Sequence, residues 1–328
     1  MRSIGRRDFL LGATGVAALA GVSCRRRPYD PAAFTRPGTS PVALLPAASY
    51  DADLTDVIAR GARALGVSFK GLRVLLKPNM VEYESGTAIN TNPRVVAAAA
   101  EAALRGGARE VIVGEGPGHR RDTEYLIAAT GLRDYVRDLR LRFVDLNHDD
   151  LRRVPLASRF MNVPEISLPV ELLAADLVVS MPKLKTHHWA AMTCAMKNLF
   201  GVVPGAVYGW PKNFLHFHGI HQAIVDLAAT VRPGLSIVDG IVGMEGDGPI
   251  MGRPRQAGFI AMGTDPVAVD ATCARAIGLD PLKIEYIREA GAFLGHAETD
   301  HIEHRGEPPS RYQYRFDVLP AFEGIRLG

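Results

Sequence analysis

Two lysines, a threonine and two histidines stand together in Lys183-Leu184-Lys185-Thr186-His187-His188. The apolar run before them, Leu177-Val178-Val179, reads as a buried strand. Lys197-Asn198 follows, then an aromatic, glycine-rich segment carrying His216, His218 and His221. A lysine at the end of a buried strand presents a compact charge to a crevice, which suits a carboxylate or a phosphate. Lys77 and Asn79 end a second apolar run and extend the set. Lys77, Asn79, Lys183, Lys185 and Asn198 are therefore the expected cofactor- or ligand-binding residues. The alternative is a group of solvated loop charges; it is less favoured because Lys183 and Lys185 directly follow a strand that should be buried.

Histidine offers proton transfer near neutral pH or metal ligation. His187, Lys197 and Glu245 are the expected catalytic groups. His187, His218, His221 and Asp239 are candidate ligands for a divalent transition metal, since imidazole and carboxylate together suit Zn, Ni, Fe or Mn. His218 and His221 share a face only if a helix has already begun there, and His216 reads equally as a loop residue between Phe214 and Phe217. Asp239, Glu245 and Asp247 share a segment whose glycines allow tight turns. Asp265 before Pro266 reads as an ordinary helix N-cap. The Gly114–Gly118 loop reads as a turn in preference to an anion cradle. It lacks the Gly-x-Gly-x-x-Gly spacing and carries Glu115 and Pro117.

Strands separated by helices must position these groups. Strand-like runs fall at 42–46, 73–79, 111–113, 142–146, 176–180, 235–239 and 258–262, with an edge strand expected at 314–318. Helical spacing covers 54–65, 93–105, 125–139, 221–231, 266–277 and 281–294, and 149–173 suggests a hairpin or edge strands. The alternation implies an α/β fold with a largely parallel central sheet flanked by helices on both faces. Ligands bind beyond the carboxyl ends of such strands, where Lys77, the Gly114 loop, Lys183, Lys185, Asp239 and Asp265 gather. The Gly201–Phe217 segment, with Tyr208, Trp210 and Phe214, is expected to close over the crevice as a lid.

Composition sets the limits. The 328 residues carry 38 basic and 35 acidic side chains, a net charge of +3, with no clustered basic face of the kind nucleic acid needs. Cys24, Cys194 and Cys273 stand too far apart for an intrinsic iron–sulfur cluster or a Cys-x-x-Cys zinc site. Arg6-Arg7-Asp8-Phe9-Leu10, before a mildly apolar run to Val22, is a twin-arginine pattern. Residues 1–27 are thus expected to be an export signal or anchor, 28–41 a Pro-rich linker and 42–328 a single α/β domain. The expected location is the periplasm or cell envelope, the N-terminus being either cleaved or left as a membrane anchor. Gly21, three places before Cys24, weighs against lipidation of that cysteine.

Several blocks resemble the domain of unknown function 362 family. They are Lys77-Pro78-Asn79, Met181-Pro182-Lys183-Leu184-Lys185-Thr186-His187, Met196-Lys197-Asn198-Leu199-Phe200-Gly201 and Ile237-Val238-Asp239-Gly240. Glu245-Gly246-Asp247-Gly248-Pro249 and Asp265-Pro266-Val267-Ala268-Val269-Asp270 complete the set, in the family's order from about Val42 onward. Many relatives carry ferredoxin-like cluster motifs that this chain lacks, so electron transfer would need another cofactor or a partner. Lys197–Val202 also resembles, over those few residues, the segment of lactate racemase whose lysine tethers a nickel-pincer nucleotide. The expected function is an exported, metal- or cofactor-dependent enzyme acting on a small anionic substrate. The alternative is an exported ligand-binding or cofactor-maturation partner without turnover. Expected partners are the anionic ligand, a redox or cofactor-loading protein and the twin-arginine translocase.

Overall fold

The computed structural model describes residues 27–118 and 122–328; the twin-arginine pattern and Cys24 lie outside the described residues. Among the described residues twelve strands run in chain order. They are Ser40–Pro46 (β1), Arg73–Pro78 (β2), Glu110–Glu115 (β3), Arg142–Asp145 (β4), Leu151–Pro155 (β5) and Glu165–Pro169 (β6). Leu177–Met181 (β7), Lys183–His187 (β8), Ala191–Thr193 (β9), Leu235–Glu245 (β10), Arg253–Gly263 (β11) and Ile302–Gly306 (β12) follow. One ten-stranded sheet has the order β12-β1-β11-β10-β7-β2-β3-β4, with β8 joined to β10 and β9 to β8. The β2, β3, β4, β7 and β10 ladders are parallel to one another, β12 pairs in parallel with β1 and β8 with β10, and β9 runs antiparallel to β8. β11 runs antiparallel between β1 and β10. The sheet is largely parallel, as expected.

Both faces are covered, which period-two alternation makes possible. Val42 and Leu44 of β1 join the core packed under the helices Ile220–Val231, Pro266–Ala276 and Glu285–Gly291. Ala43 and Leu45 point the other way, into the core under Leu54–Ala64 and Pro93–Arg105. The caps match their sequence signals: Asn92 accepts from Arg94 N before Pro93, and Asp265 accepts from Val267 N and Ala268 N.

Four local expectations are revised. The predicted helix 125–139 is two helices, Thr123–Ala129 and Leu132–Asp138, broken where Gly131 takes a φ of 79°. The predicted helix 281–294 is a 3₁₀ turn, Pro281–Lys283, followed by Glu285–Gly291. The sheet edge is β12, not 314–318; those residues form no strand and bury Phe316 in the core, with its N–H bonded to Ile277 O at 3.1 Å. Residues 28–40 lie against the domain, Tyr29 stacking on Phe293 with ring centroids 4.0 Å apart. The stretch 149–173 does form a hairpin, β5 with β6, apart from the main sheet.

Candidate functional site

Neighbouring strand ends build the floor. Lys77 closes β2 and Glu115 closes β3, and their side chains meet at 2.5 Å, both about 1% exposed. Lys77 Nζ also donates to Pro78 O at 2.6 Å and to Asn198 Oδ1 at 3.1 Å. Glu115 accepts from Met80 N and Gly116 N as well. Burial pushes the Glu115 carboxyl up and the Lys77 amine down, while each group favours the other's charged form. Gly201 passes directly over this pair; a Cβ there would collide with the Glu115 carboxylate and the Lys77 ammonium.

Above the pair opens a cavity of about 330 Å³. Lys185, Lys197 and Lys212 reach it, with His187, His216, Asn79 and Phe200, and its mouth is apolar, formed by Met80, Val81, Ile250 and Met251. Lys185 is fully buried and donates only to carbonyls, Ile89 O at 2.8 Å and Pro249 O at 3.4 Å. Burial depresses its pKa far below that of a free lysine. Lys212 is 1% exposed and donates to Asn147 Oδ1 at 2.6 Å and to Val203 O. Burial brings Lys212 down to about 7. Lys197 falls from 10.5 to about 7, through burial and then repulsion from Lys77. That displacement corresponds to ~5 kcal/mol. The Phe200 ring, 3.5 Å from Lys197 Nζ, returns at most ~2 kcal/mol to the cation, so desolvation dominates.

The two histidines present opposite faces to the cavity. His187 Nδ1 accepts from Trp189 N at 3.0 Å and from Ala190 N at 3.2 Å, so its neutral ring carries the proton on Nε2. His216 Nδ1 lies 3.1 Å from Lys212 O, an acceptor, so it must donate and leave Nε2 with a free lone pair. Burial, then the charge of Lys197, keep both rings neutral by lowering their pKa values. Asn79, 8% exposed, lines the cavity, and its Oδ1 has no hydrogen-bond partner among the described residues. A buried amide oxygen without a partner invites a ligand donor.

Asp270 carries the turn that delivers Lys197. It is fully buried and accepts from Ala195 N at 2.6 Å and Met196 N at 3.3 Å, fixing the start of the 3₁₀ helix Lys197–Val202. Desolvation outweighs these donors and raises it from 3.8 to about 7. Between those two pH values the unfolded carboxyl has ionised while the folded one keeps its proton. Its contribution to stability is full below 3.8, declines as pH rises and is lost above about 7, a change of about 4 kcal/mol. Urea unfolding across this window should show that decline, and Asp270→Asn should flatten it. An unchanged slope in the variant would assign the decline elsewhere.

The other expected site residues separate. Lys183 pairs with Asp239 at 2.5 Å and also donates to Tyr50 Oη and Val242 O. It faces a second cavity, among Tyr50, Asn92 and Pro254. Asn198 lines the cavity, but both its amide ends are satisfied by Lys77 and Ser180, so it buttresses Lys77. Glu245 is held by Arg253 at 2.9 Å and by Asp317 N, outside the cavity lining. The four candidate metal ligands do not converge. Asp239 is committed to Lys183 and Tyr50, His218 is exposed against Phe214, and His221 stacks on Tyr286 near Glu285. Among the described residues no three His, Cys, Asp or Glu side chains are grouped to hold a metal ion. The segment expected as a lid is packed against the domain: Lys212 is buried, Tyr208 Oη accepts from Ser167 N at 2.7 Å, and Trp210 packs on Gly205.

Lys212, Glu115 and His216 belong to the site without having been expected there. One signal for Lys212 is compositional. The chain has seven lysines against 31 arginines. Only Lys70 and Lys283 are exposed; Lys77, Lys183, Lys185 and Lys212 are buried and Lys197 lines the cavity. Arginine stays charged in proteins, whereas a buried lysine can release its proton, so lysine appears where an amine of adjustable charge is required.

Residues 74–275 match the family described as Domain of unknown function (DUF362). The chain belongs to the DUF362 family. The thylakoid-associated protein sll1697 of Synechocystis sp. is 34% identical over 221 residues, which cover 65% of each chain. This chain thus spans just under two thirds of that relative's length. The structure of the lactate racemase apoprotein from Thermoanaerobacterium thermosaccharolyticum aligns over 73% of this chain and 57% of its own, at 12% identity and a TM-score of 0.46. So distant an alignment carries no argument about this DUF362 chain.

Proposed function

We propose that this DUF362 protein is an enzyme that binds a small anionic substrate over Lys185, Lys197 and Lys212 and moves a proton by way of His216. The observation carrying this reading is the charge balance of the site. Four amines, Lys77 with Lys185, Lys197 and Lys212, stand around one deep carboxylate, Glu115, and only Lys77 is paired with it. An anion in the cavity supplies the missing charge and a partner for the open position of Lys185. His187 Nε2–H is placed to hydrogen-bond a substrate oxygen, and the His216 Nε2 lone pair to accept a proton.

Calorimetric titration with sulfate, which does not titrate near neutrality, tests the binding half. Saturable binding that Lys185→Met weakens at least tenfold is expected; absence of binding to the folded wild type would refute the reading. The proton-transfer half predicts deuterium incorporation next to the carbonyl or carboxyl of a small carboxylate in D₂O, lost in His216→Phe. Sulfate binding without any exchange across a carboxylate panel would favour a binding protein without turnover.

We also propose export by the twin-arginine route to the periplasm or cell envelope. Arg6-Arg7 and the apolar run to Val22 support this. Replacing both arginines by lysine should hold the protein in the cytoplasmic fraction; unchanged export of that variant would rule the route out.

A further inference from the structure

Each of the four buried lysines is occupied, and the half-buried Lys197 is not. Lys77 Nζ has three acceptors, Lys183 three, Lys185 two and Lys212 two. Lys197 has neither a hydrogen bond nor an ion pair among the described residues; its one contact is the face of Phe200. It lines the cavity, with His187 and His216 close enough for its charge to lower both their pKa values. An amine without a proton acceptor, half-buried in the cavity beside the charge of Lys77, is arranged as a nucleophile.

We propose that Lys197 forms an imine with a 2-oxo acid whose carboxylate lies among the neighbouring lysines and whose apolar side chain points to the Met80, Val81, Ile250 and Met251 mouth. This deepens the anion-site reading and rests on it. The lone pair of Nζ attacks the carbonyl carbon, and the C=O π pair moves onto oxygen, which accepts a hydrogen bond from His187 Nε2–H. His216 Nε2 takes one proton from the new C–N nitrogen and gives it to the alkoxide, forming the carbinolamine hydroxyl, and then carries the second nitrogen proton to that hydroxyl. Water then leaves as the C=N bond forms. Amine and ketone give imine and water, with no oxidant or reductant consumed. The neutral form of Lys197, substantial where its pKa is about 7, makes the first step available near neutral pH.

The test is reductive trapping on the intact wild-type protein with pyruvate or 4-methyl-2-oxopentanoate, followed by borohydride and peptide mapping. The expected result is a single reduced adduct on Lys197, formed near pH 7, blocked by excess sulfate, and more extensive with the apolar oxo acid. Lys197→Arg should lose the adduct. The wild-type map decides the matter even where that variant fails to fold. Sulfate binding accompanied by no adduct, or by labelling spread equally over Lys70 and Lys283, would overturn the imine and leave the anion site standing. Failure of sulfate to bind would overturn the anion site first, and the imine with it.

Discussion

Sulfate affinity is expected to fall as pH rises from 7 to 9, approaching tenfold per pH unit for each lysine that must regain a proton. Lys197 and Lys212 lie near 7 in the free protein because burial disfavours their charged forms. A bound dianion restores the advantage of the ammonium, so binding above pH 7 takes up protons and costs ~1.4 kcal/mol per unit for each one. Below about 7 both amines are already charged and affinity should level off. The unliganded protein shows the opposite slope. Its two depressed amines favour the folded state fully above the unfolded value of 10.5, and that contribution is lost as pH falls through about 7. Calorimetry in two buffers of different ionisation enthalpy counts the protons directly. Affinity constant from pH 6.5 to 9 would mean that these lysines do not meet the anion.

Glu115→Ala should be among the most damaging single changes in the chain, costing ~3–5 kcal/mol. It strands the Lys77 ammonium in a fully buried position with only Pro78 O and Asn198 Oδ1 beside it. It also leaves Met80 N and Gly116 N without their side-chain acceptor. The loss reflects an unpaired buried charge more than the worth of the pair. The double variant Lys77→Met/Glu115→Leu should therefore recover most of the stability while still disturbing the cavity floor. Urea midpoints at constant m-value measure both effects. If the double variant proved as unstable as Glu115→Ala, lost packing would outweigh the stranded charge as the cause.

The parallel sheet, the helices on both faces and the strand-end position of Lys77, Lys183 and Lys185 were legible along the chain. Apolar runs of strand length, Asn92-Pro93 and Asp265-Pro266 caps and glycine breaks are local signals, written within a few residues of the feature they specify. The expected edge strand at 314–318 shows where such signals stop. Tyr314 and Phe316 alternate like strand residues, yet Phe316 is drawn into the core and β12 takes the edge in parallel register with β1.

The strand end at Lys183–His187 looked from the sequence like one site with one set of partners. In the fold its residues divide by long-range pairing. Lys183 turns to Asp239, 56 residues on, and is spent on structure; Lys185 and His187 turn to the cavity. Five histidines close in sequence likewise face different ways: His187 and His216 meet the cavity, His188 pairs with Asp247 at its rim, and His218 and His221 face elsewhere. Residue types and strand ends are properties of the chain and could be read from it. Which amine keeps a free lone pair, and which is consumed by a carboxylate brought in from a distant strand, depends on the positions of atoms far apart in sequence, and only the tertiary structure decided it.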